Sequence, residues 1–102
     1  MECGNRIVNN RDMKVLENFL SGATQSEALG VVYSCLEDAN AHSENRKLEQ
    51  AFGNIDYSYM PYDAASHVTS AVGYNIDEVI DELIDALDMT GFRDIADFLS
   101  QF

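Results

Sequence analysis

The stretch NIDEVIDELIDALDMTG, residues 75–91, carries the strongest helical pattern in this chain of 102 residues. Asn75 followed three residues later by Glu78 is typical of a helix start, because each side chain can accept a hydrogen bond from a free backbone N–H. Gly91 is placed to end the helix. Apolar residues recur at spacings of three and four: Ile76, Val79, Ile80, Leu83, Ile84 and Leu87. The stretch therefore predicts an amphipathic helix with one apolar and one acidic face.

Residues that mark the starts and ends of helices recur along the rest of the chain. Glycines stand between apolar stretches of three- and four-residue spacing, and this predicts further helices over about 11–20, 24–39, 43–52 and 63–72, and from residue 92 onward. Thr24 and Glu27 form a capping box before an apolar stripe, so the second helix is the expected centre of the core. Pro61 disfavours helical geometry at Met60, so residues 55–63 are expected to form an ordered loop.

These elements predict an all-α fold: a compact single-domain bundle of about five to six short helices over residues 1–102. Hydrophobic residues make up 46% of the chain, which is enough to bury a core and too many for an acidic disordered tail. No apolar run approaches the roughly 18 residues of a membrane span, and the first six residues lack the apolar stretch of a secretory signal. Cys3 and Cys35 are too far apart for a redox or metal motif, so both are expected as free thiols, with Cys35 in the core. Together these features predict a cytoplasmic protein.

Charge is the feature that bears most on function. Eighteen acidic residues stand against six Lys and Arg, which gives a net charge of −12. Residues 56–102 contain ten acids and one base, Arg93. A surface this acidic repels nucleic acid and anionic membranes and attracts basic proteins. We therefore expect a basic protein partner and no direct binding of nucleic acid or membrane.

The acidic face of the 75–91 helix has two interpretations. It contains Asp77, Glu78, Asp81, Glu82, Asp85 and Asp88, which could form a solvated helix back. However, like charges four residues apart repel each other, and Asp85 and Asp88 stand toward the negative end of the helix dipole. Because these acids oppose local helix energetics, we favour a role in partner binding.

Three tyrosines crowd the predicted loop beside this acidic half of the chain. Large, stiff rings next to charge are typical of interface hot spots. One ring could instead pack under the core, which is common for tyrosine. The predicted partner-binding residues are Asp56, Tyr57, Tyr59, Tyr62, Asp63, Asp77, Asp81, Asp85 and Asp88.

Catalytic and metal-binding motifs are scarce. The histidines are His42 and His67, with no nearby Cys or Gly-flanked Ser to act as a nucleophile. Asp63 lies four residues before His67 and could orient it as a base, but an exposed or capping pair explains the same spacing. No twelve-residue window has the oxygen ligands and the glycine of an EF-hand. We expect neither enzyme activity nor a metal or cofactor.

In its size, acidity, helicity and lack of catalytic motifs, the chain resembles the immunity proteins of bacterial toxin systems, including those of contact-dependent growth inhibition. That resemblance implies tight binding to a cognate toxin domain, such as a nuclease, whose basic substrate-binding cleft the inhibitor covers. A monomer is expected over a homo-oligomer. Two other classes remain open: a phage-type nucleic-acid mimic that inhibits a defence complex, and a regulatory adaptor or chaperone that offers a groove to a partner helix.

Overall fold

The computed structural model describes residues 10–59 and 62–102, with side chains from residue 15 onward. Within these ranges it contains helices and no strand, which confirms the all-α prediction. The helices are α1 (Asn10–Leu20), α2 (Gln25–Asp38), α3 (His42–Phe52), α4 (Tyr62–Ala71), α5 (Ile76–Thr90) and α6 (Arg93–Leu99). The Cα radius of gyration is 12.5 Å, close to the roughly 13 Å of a folded 100-residue domain.

Helix α2 lies at the centre of the bundle, as its apolar stripe predicts. It packs against α1, α3, α4 and α5, while α5 also packs against α1 and α6. Its buried residues are Ala28, Leu29, Gly30, Val31, Val32, Ser34, Cys35 and Leu36. Cys35 is fully buried and free, in agreement with the prediction.

The helix starts follow the predicted capping chemistry. The Thr24 N–H donates to Glu27 Oε1 at 2.9 Å, and the Glu27 N–H donates to Thr24 Oγ1 at 3.2 Å. At α5, the Glu78 N–H donates to Asn75 Oδ1 at 3.2 Å. Gly91 ends α5 with φ of 91°, a conformation that side chains with a Cβ rarely adopt. Local side chains and one glycine therefore define both of these helices.

The loop between α3 and α4 runs unusually close to α2. A Cβ added to Gly30 would lie 2.4 Å from the carbonyl oxygen of Tyr59 and 2.7 Å from that of Asp56. The Asp56 N–H also donates to the Ser26 carbonyl oxygen at 3.1 Å. Only glycine at position 30 allows this backbone contact, so α2 positions the loop that carries the tyrosines.

Helix α3 buries a polar residue beside its apolar ones. Leu48 and Asn45 are buried and Phe52 is half-buried, whereas Ala51 is exposed. The Asn45 Nδ2 donates to the Tyr33 carbonyl oxygen at 3.2 Å and to Glu37 Oε1 at 3.0 Å. Because these hydrogen bonds replace water, a polar residue can lie in the contact between α3 and α2.

Aromatic rings connect the end of the chain to α3. The Phe98 ring packs edge-to-face between Phe52 and Phe102, with ring centroids 5.5 Å and 5.1 Å away. The Lys47 ammonium lies 5.6 Å from the centre of the Phe102 ring. These contacts hold the short helix α6 beside α3. The backbone of α6 also packs on α5.

Candidate functional site

The first candidate surface is a row of four aspartates on α5, here called the acidic strip: Asp77, Asp81, Asp85 and Asp88. All four are exposed, while Val79, Leu83 and Leu87 on the other side of the helix are buried. With 3.6 residues per turn and a 1.5 Å rise per residue, the strip lies on one face and extends over about 16 Å. The predicted separation of an apolar face from an acidic face is confirmed for these residues.

Within the described part of the chain, the charges of the acidic strip have no cationic partner. Among the residues that the structure describes, no Lys, Arg or His side chain forms an ion pair with any of its four carboxylates. The last turn of α5 also contains no basic residue, so the carboxylates of Asp85 and Asp88 face the negative end of the helix dipole. Each like-charge neighbour along the strip costs about 0.2–0.5 kcal/mol. The strip is therefore a concentrated negative surface with a local energetic cost.

Glu82 and Glu78 do not belong to this exposed face. Glu82 is only 5% exposed and Glu78 is half-buried, and both interact with other groups of the protein. The interpretation that placed Glu82 on the solvated face is therefore wrong. Glu82 lies three residues after Val79 and four before Ala86, which are both buried, so the helical spacing turns it toward the packed side.

The second candidate surface, here called the tyrosine patch, consists of Tyr33, Tyr57 and Tyr62. Tyr57 is 55% exposed and Tyr62 is 48% exposed. The Tyr57 ring meets the Tyr33 ring edge-to-face, with centroids 5.3 Å apart. The Tyr57 hydroxyl donates to Glu49 Oε2 at 2.7 Å. Tyr57 is thus held at both its ring and its hydroxyl, while much of its surface stays accessible.

Two tyrosines of the patch have a raised pKa, Tyr57 mainly through a hydrogen bond and Tyr33 mainly through burial. The hydrogen bond to Glu49 is the main reason that the pKa of Tyr57 rises to about 12, and partial burial and the Glu49 charge add to it. Burial raises the pKa of Tyr33, with further contributions from Glu37, Glu49 and Tyr62. Tyr57 and Tyr33 therefore present uncharged rings, and the Glu49 carboxylate lies at the edge of the Tyr57 ring.

Of the other loop residues predicted to bind a partner, Tyr59 and Asp56 contribute to holding the loop in place. Tyr59 is half-buried, and its hydroxyl donates to the Phe19 carbonyl oxygen at 2.9 Å. Hydrogen bonds from the Ser58 hydroxyl and N–H to Asp56 lower the pKa of this carboxyl group. Asp63 is exposed in the first turn of α4, where the helix dipole favours its charge. Of the residues in this predicted loop, Tyr57, Tyr62 and Asp63 are therefore more accessible than Tyr59 and Asp56.

The structure places the two surfaces on different elements. The tyrosine patch is built from α2, the loop before α4 and the first residue of α4, and Glu49 of α3 lies at its edge. The acidic strip lies on α5, which packs against α1, α2 and α6. Sequence reasoning missed Tyr33 and Glu49, because they join the patch only through the packing of α2 and α3. Nothing in their local spacing indicates this contact.

Side chains with catalytic or metal-binding chemistry are dispersed in the part of the chain that is described. His42 Nδ1 lies 3.5 Å from Glu37 Oε2 at the protein surface. No three His, Cys, Asp or Glu side chains within the described ranges are grouped as a metal site. A cavity of about 150 Å³ beside Gln25 and residues 91–94 is smaller than the roughly 300 Å³ of the smallest typical ligand pockets. Within the described residues, the acidic strip and the tyrosine patch are therefore the candidate functional surfaces.

Among the described residues, no helix is both long enough and apolar enough to cross a membrane. In the comparisons with known proteins, no protein-family model, no curated protein and no solved structure matches this chain.

Proposed function

We propose that this protein is an acidic inhibitor that binds a basic protein domain and blocks it, in the manner of the immunity proteins of bacterial toxin systems. The observation that carries the proposal is the acidic strip: four exposed aspartates on one helix face, without a cationic partner among the described residues. The strip lowers local helix stability and attracts cations, so a function in binding explains it better than solubility does.

The class of partner follows from charge complementarity. A nuclease binds the phosphates of its substrate with Lys and Arg, so its substrate cleft is a basic surface. A carboxylate row can occupy such a cleft and raise the rate of encounter with it. The inhibitor would protect the cytoplasm of the cell that makes it, and it would act as a monomer paired with one toxin domain.

The tyrosine patch supplies the second component of a tight interface. Charged surfaces raise the association rate, but most binding energy comes from a few buried anchors, among which Tyr is enriched. Tyr57 and Tyr62 are exposed in the free protein and can be covered by a partner. Because the contacts of Tyr57 already hold it in place, it would lose little conformational freedom on binding.

Affinity capture of the tagged protein from its native cells, at low and at high salt, tests this proposal. Mass spectrometry should identify one basic protein domain, retained more strongly at low salt by the wild type than by the variant Asp81→Asn, Asp85→Asn, Asp88→Asn. Purified with the inhibitor, that domain should lose its activity in a titration that ends at one inhibitor per domain. A neutral or acidic partner, or equal retention of the domain by the variant, would refute the proposal. A large nucleic-acid-processing complex would instead indicate a mimic.

A further inference from the structure

We infer that the tyrosine patch is an arginine-binding subsite, at which a guanidinium group of the basic partner stacks on Tyr57 and pairs with Glu49. The inference rests on the proposed function for its physiological partner. Its chemistry, however, comes from the patch itself and not from the acidic strip.

The ring of Tyr57 provides the surface for stacking. Tyr57 as a residue is more than half exposed, and the edge-to-face contact of its ring with Tyr33 and its hydrogen bond to Glu49 fix its orientation. Cations bind over the faces of aromatic rings, and the planar guanidinium group of arginine also stacks on them. Such a contact needs a ring that is accessible yet fixed, and Tyr57 meets both conditions.

Glu49 provides a carboxylate at the rim of the same ring. Its Oε2 atom accepts the Tyr57 hydroxyl at 2.7 Å, whereas no hydrogen bond within the described part of the chain reaches Oε1. A guanidinium group over the ring could donate N–H groups to this second oxygen. The charges of Glu37 and Glu49 also contribute to the raised pKa of Tyr33, the ring that packs against Tyr57.

This arrangement favours arginine over lysine. The guanidinium group combines a planar face for stacking with several N–H donors in a fixed fork, whereas the ammonium group of lysine is a compact and strongly hydrated charge. The patch offers both a ring face and a carboxylate, so arginine can use each of them at once. By contrast, the acidic strip has no aromatic ring among its four residues, and we expect it to bind the two cations about equally.

Three short peptides test the inference, in which glycine alternates with arginine, with lysine or with neutral citrulline. The side-chain resonances of Tyr57, Tyr33 and Glu49 should shift with the arginine peptide. The affinity for that peptide should exceed the affinity for the lysine peptide by roughly two- to fivefold, because lysine can place its charge over the ring but can neither stack a planar group on it nor donate through a fixed fork. The citrulline peptide should bind most weakly, because it lacks the charge.

Substitutions then show which side chains cause the preference for the arginine peptide. Tyr57→Ala should abolish the preference for arginine, and Glu49→Gln should reduce it. Tyr57→Phe should keep part of it, because the ring remains without its hydroxyl. Tyr74→Ala is the matched control, because Tyr74 is 51% exposed and follows the end of α4 opposite to Tyr62. Equal affinity for the arginine and lysine peptides, or an equal effect of Tyr74→Ala, would overturn the inference.

The outcomes separate this inference from the proposed function. If a basic domain is captured and inhibited but binds the Tyr57→Ala variant as tightly as the wild type, the arginine subsite is refuted and the inhibitor function stands. If the protein prefers the arginine peptide through Tyr57 but no basic domain is captured, the inhibitor function is refuted and the arginine subsite stands.

Discussion

Replacing Gly30 with alanine tests how the fold holds the tyrosine loop. The new Cβ would lie 2.4 Å from the Tyr59 carbonyl oxygen, whereas ordinary contacts of this kind begin at 3.4 Å. Both nearby oxygens belong to the backbone, so no side chain can rotate away, and the loop must move by about 1 Å. That movement strains the hydrogen bonds from the Asp56 N–H to Ser26 and from the Tyr59 hydroxyl to Phe19.

Two opposing effects set the magnitude. Overpacking a tight contact costs about 1–3 kcal/mol, and the upper end applies where only backbone can yield. Alanine is about 1 kcal/mol more favourable than glycine inside a helix. We therefore expect Gly30→Ala to lower the free energy of unfolding by about 2 kcal/mol, which corresponds to a fall in Tm of roughly 10 °C for a domain of this size.

Urea unfolding followed by circular dichroism measures this change. Ser70→Ala, at an exposed position of α4, is the control for a new alanine in a helix and should stay within about 0.5 kcal/mol of the wild type. If Gly30→Ala were as stable as the wild type, or more stable, the loop could not lie against α2 as described. The account of how the tyrosine patch is positioned would then be wrong.

Three further predictions concern single side chains. The pKa of Tyr57 rises from its usual 10 to about 12, so the stability that its hydrogen bond contributes should be complete below pH 10 and lost as the pH rises toward 12. Glu49→Gln should remove most of this rise in the pKa of Tyr57, which tyrosinate absorbance measures. Burial raises the pKa of Cys35 to about 12, so iodoacetamide at pH 8 should modify it only when urea unfolds the protein. Modification of Cys35 itself in the folded protein at the unfolded rate, distinguished from that of Cys3 by peptide mass spectrometry, would contradict its burial. Tyr59→Ala should lower the free energy of unfolding by about 2–3 kcal/mol, because it removes a packed ring and a hydrogen bond. The folded variant should keep its affinity for the partner. Lost affinity with unchanged stability would instead place Tyr59 in the interface.

The helices could be predicted because their signals are local. Thr24 with Glu27, and Asn75 with Glu78, cap the starts of α2 and α5 within a single turn, and Gly91 ends α5. The acidic strip was predictable for the same reason, since helical periodicity alone places its four aspartates on one face. Local patterns therefore sufficed for the elements and for one of the two candidate surfaces.

The tyrosine patch could be predicted only in part. Tyr57 and Tyr62 stand out in the loop sequence, but Tyr33 and Glu49 reach them only after α2 and α3 have packed. The same limit applies to Asn45, whose burial depends on acceptors in another helix. Such contacts join residues that are distant in the chain, so neither spacing nor composition indicates them.

The salt dependence of the association rate shows whether the acidic strip binds a basic partner. The measurement compares the wild type with the variant Asp81→Asn, Asp85→Asn, Asp88→Asn, against the basic domain obtained by affinity capture. A variant of equal net charge, with Glu17→Gln, Glu44→Gln and Asp97→Asn on α1, α3 and α6, separates the position of the charges from their number.

At low salt, the strip variant should associate at least about tenfold more slowly than the wild type, whereas the control variant should stay close to the wild type. The difference should nearly disappear at 1 M salt, where the screening length falls to about 3 Å. The strip variant should also be as stable as the wild type, or up to about 1 kcal/mol more stable, because like-charge repulsion is removed. Equal association rates for the wild type and the strip variant at low salt would contradict the claim that the strip binds the partner.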